Sequence, residues 1–269
     1  LNLERTFPLY NQNDNPKHVA NSVRNELYPE FTPDLRGFLK SLISKFAENN
    51  ILVFEFVEPW NKKDKANIDG FFLNPNVIVL KRNQIAFRRE IFTLIHELGH
   101  FLLGEEEIDK IDYQELSKSN LSSVERWCND FAYYFLGGKY ADIIDSIDYA
   151  DSSNDYHFDI IEKVSKITHL SQIALFTKLL YYKKLSHVDY RKIKQDIEDR
   201  YQAKLENKLK QQELDKQRGI PQEGSTPQPI RSPLLISTIQ TAFYEGILNE
   251  YEVCQRLKIQ PKHIDKYIS

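Results

Sequence analysis

The pentapeptide His96-Glu97-Leu98-Gly99-His100 constrains this chain more than any other stretch. It lies in an apolar run from about Gln84 to Leu103, where Ile91, Phe92, Leu94, Ile95, Leu98, Phe101 and Leu102 recur at helical spacing. Gly104 follows as a natural C-cap. On such a helix the two histidines stand at i and i+4, on one face, with Cβ atoms roughly 5–6 Å apart. Both imidazoles can then meet one Zn²⁺ at about 2.0–2.1 Å. Glu97 comes directly after the first histidine, so its carboxylate reaches an activated water from the side rather than binding the metal. Zinc lowers the pKa of such a water towards about 7, and a nearby carboxylate takes its proton as it attacks a carbonyl. The spacing predicts metal-assisted peptide hydrolysis, with His96 and His100 as ligands and Glu97 as base. Five residues also match by chance, in which case two buried histidines would need hydrogen-bond partners in the core.

A catalytic zinc takes three protein ligands and keeps one open position. The metzincin pattern would place Gly and His three and six residues after His100, where this chain has Leu103 and Glu106. The third ligand is therefore expected to be a carboxylate on a separate helix. Glu105, Glu106 and Glu107 follow the helix end too closely and read as loop residues. Glu125 opens the next helix and is the better candidate, with Asn129 one turn later as a residue that could orient a ligand. Ser122-Ser123-Val124-Glu125 is also a capping box, so Glu125 has a purely structural alternative. Cys128 is a soft-ligand rival that reads more simply as a small core residue. An oxyanion needs a donor besides the metal; Tyr133, Tyr134, Tyr156 and His157 are the candidates, though each reads more simply as an ordinary aromatic.

The rest of the chain supplies a frame for that helix. Residues 16–50 read as two helices with Pro16 and Pro33 in their first turns, ended by Asn49-Asn50. Three strands follow at 51–57, 68–73 and 77–80, with Asn74-Pro75-Asn76 as a turn, and a small antiparallel sheet is expected. Ser122-Ser123 starts a helix stopped by Gly137-Gly138, and 156–187 reads as helical and apolar. From Asp189 to Arg218 the sequence is a charged helix whose narrow apolar line, Tyr190 to Leu209, is expected to dock along one edge. The expected division is a peptidase core over 1–150, a helical subdomain over 151–218, a Pro/Gly linker over 219–233 and a small helical unit over 234–269.

Composition narrows the partners and the compartment. The 36 basic and 39 acidic residues leave a formal charge of −3, which excludes a globally basic, nucleic-acid-coating protein. The terminal unit balances Arg256, Lys258, Lys262 and Lys266 against Glu245, Glu250, Glu252 and Asp265, too thin a surplus for phosphate contacts. Direct DNA binding is therefore not expected. Two cysteines do not make a disulfide scaffold and point to a reducing cytosol, and no apolar run is long enough to span a membrane. The chain has no methionine and begins at Leu1, which reads as a truncated start or an unusual start codon.

Taken together, Arg88-Arg89-Glu90-Ile91-Phe92-Thr93-Leu94 before the motif, Glu125-Arg126-Trp127-Cys128-Asn129-Asp130-Phe131-Ala132 after it, and Asp69-Gly70-Phe71 with Val77-Ile78-Val79-Leu80 upstream resemble the ImmA/IrrE metallopeptidases. The resemblance runs over about residues 17–200. It implies an α+β, gluzincin-like (zincin-like) core, with the small sheet packed on the motif helix and a mainly helical C-terminal half. It implies His96, His100 and Glu125 as zinc ligands, Glu97 as catalytic base, and a cytoplasmic endopeptidase. In regulatory members of the family the substrate is a helix-turn-helix repressor, here expected to be encoded nearby. Two departures are expected: the N-terminal helix-turn-helix domain of many relatives is not read in these residues, and Gly137-Gly138 stands where a proline is common. A regulatory module that binds a protein on the same fold without hydrolysis is the alternative, and the presence of Glu97 disfavours it.

Overall fold

The computed structural model describes residues 4–57, 68–82, 87–106, 122–218 and 228–268. The polar loop expected at 61–67, residues 84–86 at the start of the motif helix, Glu107, and 219–227 of the expected linker lie outside these. Two compact units are present: residues 1–111, 122–135 and 229–269 form one, and 112–121 with 136–228 the other. The last 40 or so residues thus group with the unit that holds the motif, while the second unit is inserted in sequence between them.

The first unit opens with helices α1 (Pro16–Leu27) and α2 (Leu35–Glu48). Asn15 caps α1 and Pro16 takes its first position. Pro33 falls before the Asp34 cap of α2, outside the helix rather than in its first turn. The Asp34 carboxylate caps that turn by accepting from the Arg36 amide, which shifts the start past the proline. Asn50, at φ 54°, ends α2 as expected.

Strands β1 (Leu52–Phe56), β2 (Gly70–Leu73) and β3 (Val77–Lys81) form one sheet in the order β1-β3-β2. β2 and β3 pair antiparallel through the 74–76 turn, but β1 and β3 pair parallel, so the sheet is mixed and not antiparallel throughout. The reason lies in which strand takes the middle. Ile78 and Leu80 are fully buried on one face of β3, and the apolar Val77 and Val79 are half-buried on the other, which suits a central strand. Placing β2 beyond it leaves β3 to return alongside β1 in the same direction.

Helix α3 (Phe87–Leu103) packs on β2 and β3 and carries the motif. From Thr93 to Leu103 every residue is buried, so this helix is enclosed on all sides rather than amphipathic. Its end is a Schellman motif: Glu105 N donates to His100 O (3.2 Å), Gly104 N donates to Phe101 O (3.1 Å), and Gly104 has φ +68°. Helix α4 (Ser123–Gly137) crosses α3 where Cys128 meets Gly99. The segment 4–15 fastens both helices: Tyr10 N donates to Leu102 O (3.0 Å), and Trp127 Nε1 donates to Asp14 O (2.7 Å).

In the second unit, the stretch expected as helix over 156–187 is a short 3-10 turn and two helices. After α5 (Ala141–Asp145) come α6 (Phe158–Ile167) and α7 (Gln172–Tyr181), broken by the Ser171 cap. Helix α8 (His187–Gln217) buries Tyr190 and Ile193, while Tyr201 and Leu209 are exposed. Within this unit the apolar line docks over its first two turns only. Helices α9 (Pro233–Tyr244), α10 (Glu250–Leu257) and α11 (Asp265–Ile268), which belong to the first unit, enclose their own small core of Ile239, Val253, Cys254, Leu257 and Ile264. Among the described residues no helix is long and apolar enough to cross a membrane.

Candidate metal centre

The crossing of α3 and α4 is set by one residue without a side chain. A Cβ on Gly99 would lie 3.0 Å from Cys128 Sγ, 3.1 Å from its Cβ and 3.2 Å from its Cα. The two backbones therefore approach at the position between His96 and His100, and Glu125, one turn before Cys128, is carried to the histidines. Cys128 is fully buried at this crossing, a core residue as its sequence context suggests.

The three side chains converge. His96 Nε2 and His100 Nε2 are 3.2 Å apart, Glu125 Oε2 lies 3.2 Å from His96 Nε2, and Glu125 Oε1 lies 3.0 Å from His100 Nε2. All three residues are buried, and they are a group able to hold a metal ion. Four-coordinate zinc with arms of about 2.0–2.1 Å sets donor–donor edges of roughly 3.3 Å, so the observed spacing fits the metal. The donor chemistry fits it too. Two imidazole nitrogens and a carboxylate are the ligand types that zinc takes. Burial pushes the Glu125 carboxyl up, but hydrogen bonds and charge from His100 and His96 outweigh it and hold the group ionised, far below the usual carboxylate range.

The two readings of Glu125 are both visible, divided between its backbone and its side chain. Its amide donates to Ser122 Oγ at 3.1 Å, which is the capping half of the box. The reciprocal half is replaced, because the carboxylate turns to the histidines instead of back to the cap. Glu105 and Glu106 stay outside, Glu105 accepting from Gln12 Nε2 and Glu106 from the Asn74 amide.

Glu97 sits beside this group, buried under β2. A Cβ on Gly70 would touch Thr93 Cγ2 at 2.8 Å and Glu97 Cγ at 3.4 Å, so the strand passes directly over the base position. The Phe72 amide hydrogen-bonds to the Glu97 carboxylate, and Oε2 is buried with no partner among the described residues. Burial raises the Glu97 pKa above its ordinary value against the opposing pull of His96, His100 and that amide. The arrangement can hold a cation and place a buried carboxylate at its side.

Among the weaker candidates, Asn129 is half-buried one turn after Glu125, and no hydrogen bond joins it to the three donors among the described residues. Tyr133 is buried in edge contact with Tyr134 (centroids 4.9 Å apart) on the last turns of α4. His157 and Tyr156 belong to the second unit, where His157 Nε2 pairs with Tyr149 O (3.2 Å) and Tyr156 donates to Asp189 (3.1 Å). The sequence reading overlooked Glu55 and Glu90, both buried, and Arg36 that pairs with them. Their signal was there: Glu55 alternates with Val53 on the core face of β1, and Glu90 lies seven residues before Glu97 on one side of α3.

A buried pair of i, i+4 histidines closed by a carboxylate from a second helix, with a glutamate next to the first histidine, is the make-up of a metallopeptidase-type centre. Residues 48–136 match the family model described as the IrrE N-terminal-like domain, peptidase M78, so this segment is similar to the ImmA/IrrE family. The matched span covers the sheet, α3 and all three donors. No curated protein and no solved structure matches the chain.

Proposed function

We propose that this protein is a zinc-dependent endopeptidase with a zincin-like core that cleaves one intracellular protein, a helix-turn-helix repressor encoded nearby. The observation that carries the reading is Glu97, a buried carboxylate held by the Phe72 amide beside a three-donor group. His96, His100 and Glu125 would hold the zinc, which supplies Lewis-acid polarisation of the scissile carbonyl and acidifies an attacking water. Glu97 Oε2 takes the proton of that water and passes it to the leaving amine, a role for which a raised pKa suits it. Among the described residues β2 is an edge strand, and its Phe72 amide points away from β3 towards Glu97. An extended substrate pairing along that edge would run past the base. The repressor as substrate rests on the family resemblance, and the near-neutral charge agrees with a protein partner in the cytosol rather than DNA.

Incubation with the neighbouring repressor tests the reading. Wild type should cut it, and Glu97→Gln, still loaded with metal, should cut about 100- to 10,000-fold more slowly. An intact repressor with wild type, or equal cutting by both proteins, refutes it. Binding without cleavage by both would favour the non-hydrolytic alternative.

A further inference from the structure

At the other end of the site helix lies a second buried cluster of ionisable groups, drawn from four segments of the first unit. Arg36 on α2 spans Glu55 on β1 through two bonds, Nη1 to Oε1 at 2.6 Å and Nη2 to Oε2 at 2.7 Å. The same Nη1 reaches Glu90 Oε1 on the first turn of α3 at 3.0 Å. Both carboxyl side chains are fully buried. The fourth member is the Ile230 backbone N–H, which donates to Glu55 Oε2.

Ile230 lies in the stretch expected to be a free linker, and its neighbour shows that it is anchored. Arg231 forms an antiparallel bridge with Phe54 on the outer edge of β1. Its guanidinium donates to Leu257 O (3.1 and 2.9 Å) and to Tyr267 Oη (2.8 Å). Two consecutive residues therefore join the C-terminal helices to the cluster: Arg231 grips α10 and α11, and the Ile230 amide closes the shell of Glu55.

We propose that Arg36, Glu55 and Glu90 are positioning residues for the site helix, and that the C-terminal unit completes them through the Ile230 amide. The proposal rests on the peptidase reading only in taking the α3 donors as a metal site. An ionised, buried Glu55 needs its hydrogen bonds satisfied. With the Ile230 amide in place it keeps the Arg36 fork, and that fork holds Glu90. Glu90 stands six residues before His96 on a single rigid helix, so its anchorage fixes where the histidines sit. Loss of the amide opens Glu55 to water and slackens the first turn of α3.

The full-length chain carrying Ile230→Pro, which lacks the amide, is compared with Ile230→Ala, which keeps it. The probes are Zn²⁺ affinity by chelator competition and hydrogen exchange of residues 87–95 and 228–233. Ile230→Pro should exchange faster in both segments and bind zinc about ten-fold more weakly, the scale of effect seen when a supporting partner of a metal site is removed. Ile230→Ala should match wild type in both. Faster exchange confined to 228–233, with exchange of 87–95 and zinc affinity unchanged, overturns the proposal. Should Ile230→Pro fail to fold, Glu55→Gln replaces it with the same expected and overturning results. If wild type binds no zinc, the peptidase reading fails, and exchange of residues 87–95 alone still decides the positioning role.

Discussion

Helix α3 carries two buried groups of polar side chains, and they are built on opposite principles. At its first turn, Glu90 and Glu55 share the guanidinium of Arg36, so the chain supplies its own cation. Burial, then the hydrogen bond and charge of Glu55, push the Glu90 carboxyl up to about 9, so that one carboxyl stays neutral. Glu55 is driven up by burial but brought below its ordinary value by Arg36, Glu90 and the Ile230 amide. The charges of the cluster are thus matched by the guanidinium within it. In the middle of the same helix, Glu125 meets only two imidazoles, and Glu97 leaves one buried oxygen without a partner among the described residues. A buried charge persists only when it is paired or coordinates a metal. The first cluster contains its own cation, although Glu90 Oε2, like Glu97 Oε2, is buried without a hydrogen-bond partner among the described residues; the second is a group of donors able to take a metal ion.

The sharpest way to break this contrast is to remove a donor from the second group. Wild type is expected to carry one zinc by elemental analysis, and His100→Ala or Glu125→Ala to carry none, because a site with two protein donors holds zinc poorly. Retained zinc in Glu125→Ala would return that residue to its capping role alone.

Removing the cation from the first cluster comes next. Arg36→Ala leaves the ionised Glu55 buried without its counter-ion and should lower unfolding stability by on the order of 3 kcal/mol, read by denaturant titration. A loss within a few tenths of that seen for a surface arginine would mean that the cluster is not charge-balanced as described.

Gly99→Ala sharpens the comparison at the helix crossing. The new methyl would meet Cys128 at 3.0–3.2 Å, so α4 must shift. Overpacking of this kind costs about 1–3 kcal/mol, and zinc affinity should fall with it because Glu125 moves with α4. The double change Gly99→Ala with Cys128→Ala should recover part of both losses.

The smallest effect concerns pH. Glu90 has its folded pKa raised from 4.5 to about 9, so the folded state holds a proton that the unfolded state has released over that interval. Its contribution to stability is full below 4.5 and is lost as pH rises through about 9. Glu90→Gln keeps a neutral donor at every pH, so melting curves of wild type and variant should diverge as pH rises from 7 to 10, wild type losing more. Parallel curves would place Glu90 in its ionised form from the start.

Much of the motif region could be read from the sequence because its rules are local. Periodicity put His96 and His100 on one face, and Gly104 and Ser122 marked helix ends that the backbone uses. The sheet was legible as three strands but not in its order, since parallel pairing of β1 with β3 depends on which strand the core encloses. The break at Ser171 was passed over because the apolar pattern of α6 resumes in α7 with little change of period.

The sequence by itself determined the helix with its two histidines and its glutamate, since the spacing of side chains on a helix is a property of a few neighbouring residues. It also named Glu125, yet left that residue divided between ligand and cap. Only the tertiary structure brings the two together: the close passage of α3 and α4 at Gly99 lets the Glu125 backbone serve the cap while the carboxylate faces the histidines. In the same way, only the folded chain joins Ile230 to Glu55, 175 residues away in sequence. Hydrogen bonds between distant segments leave no periodic trace in the sequence, because what selects them is the need to satisfy polar groups that packing has buried.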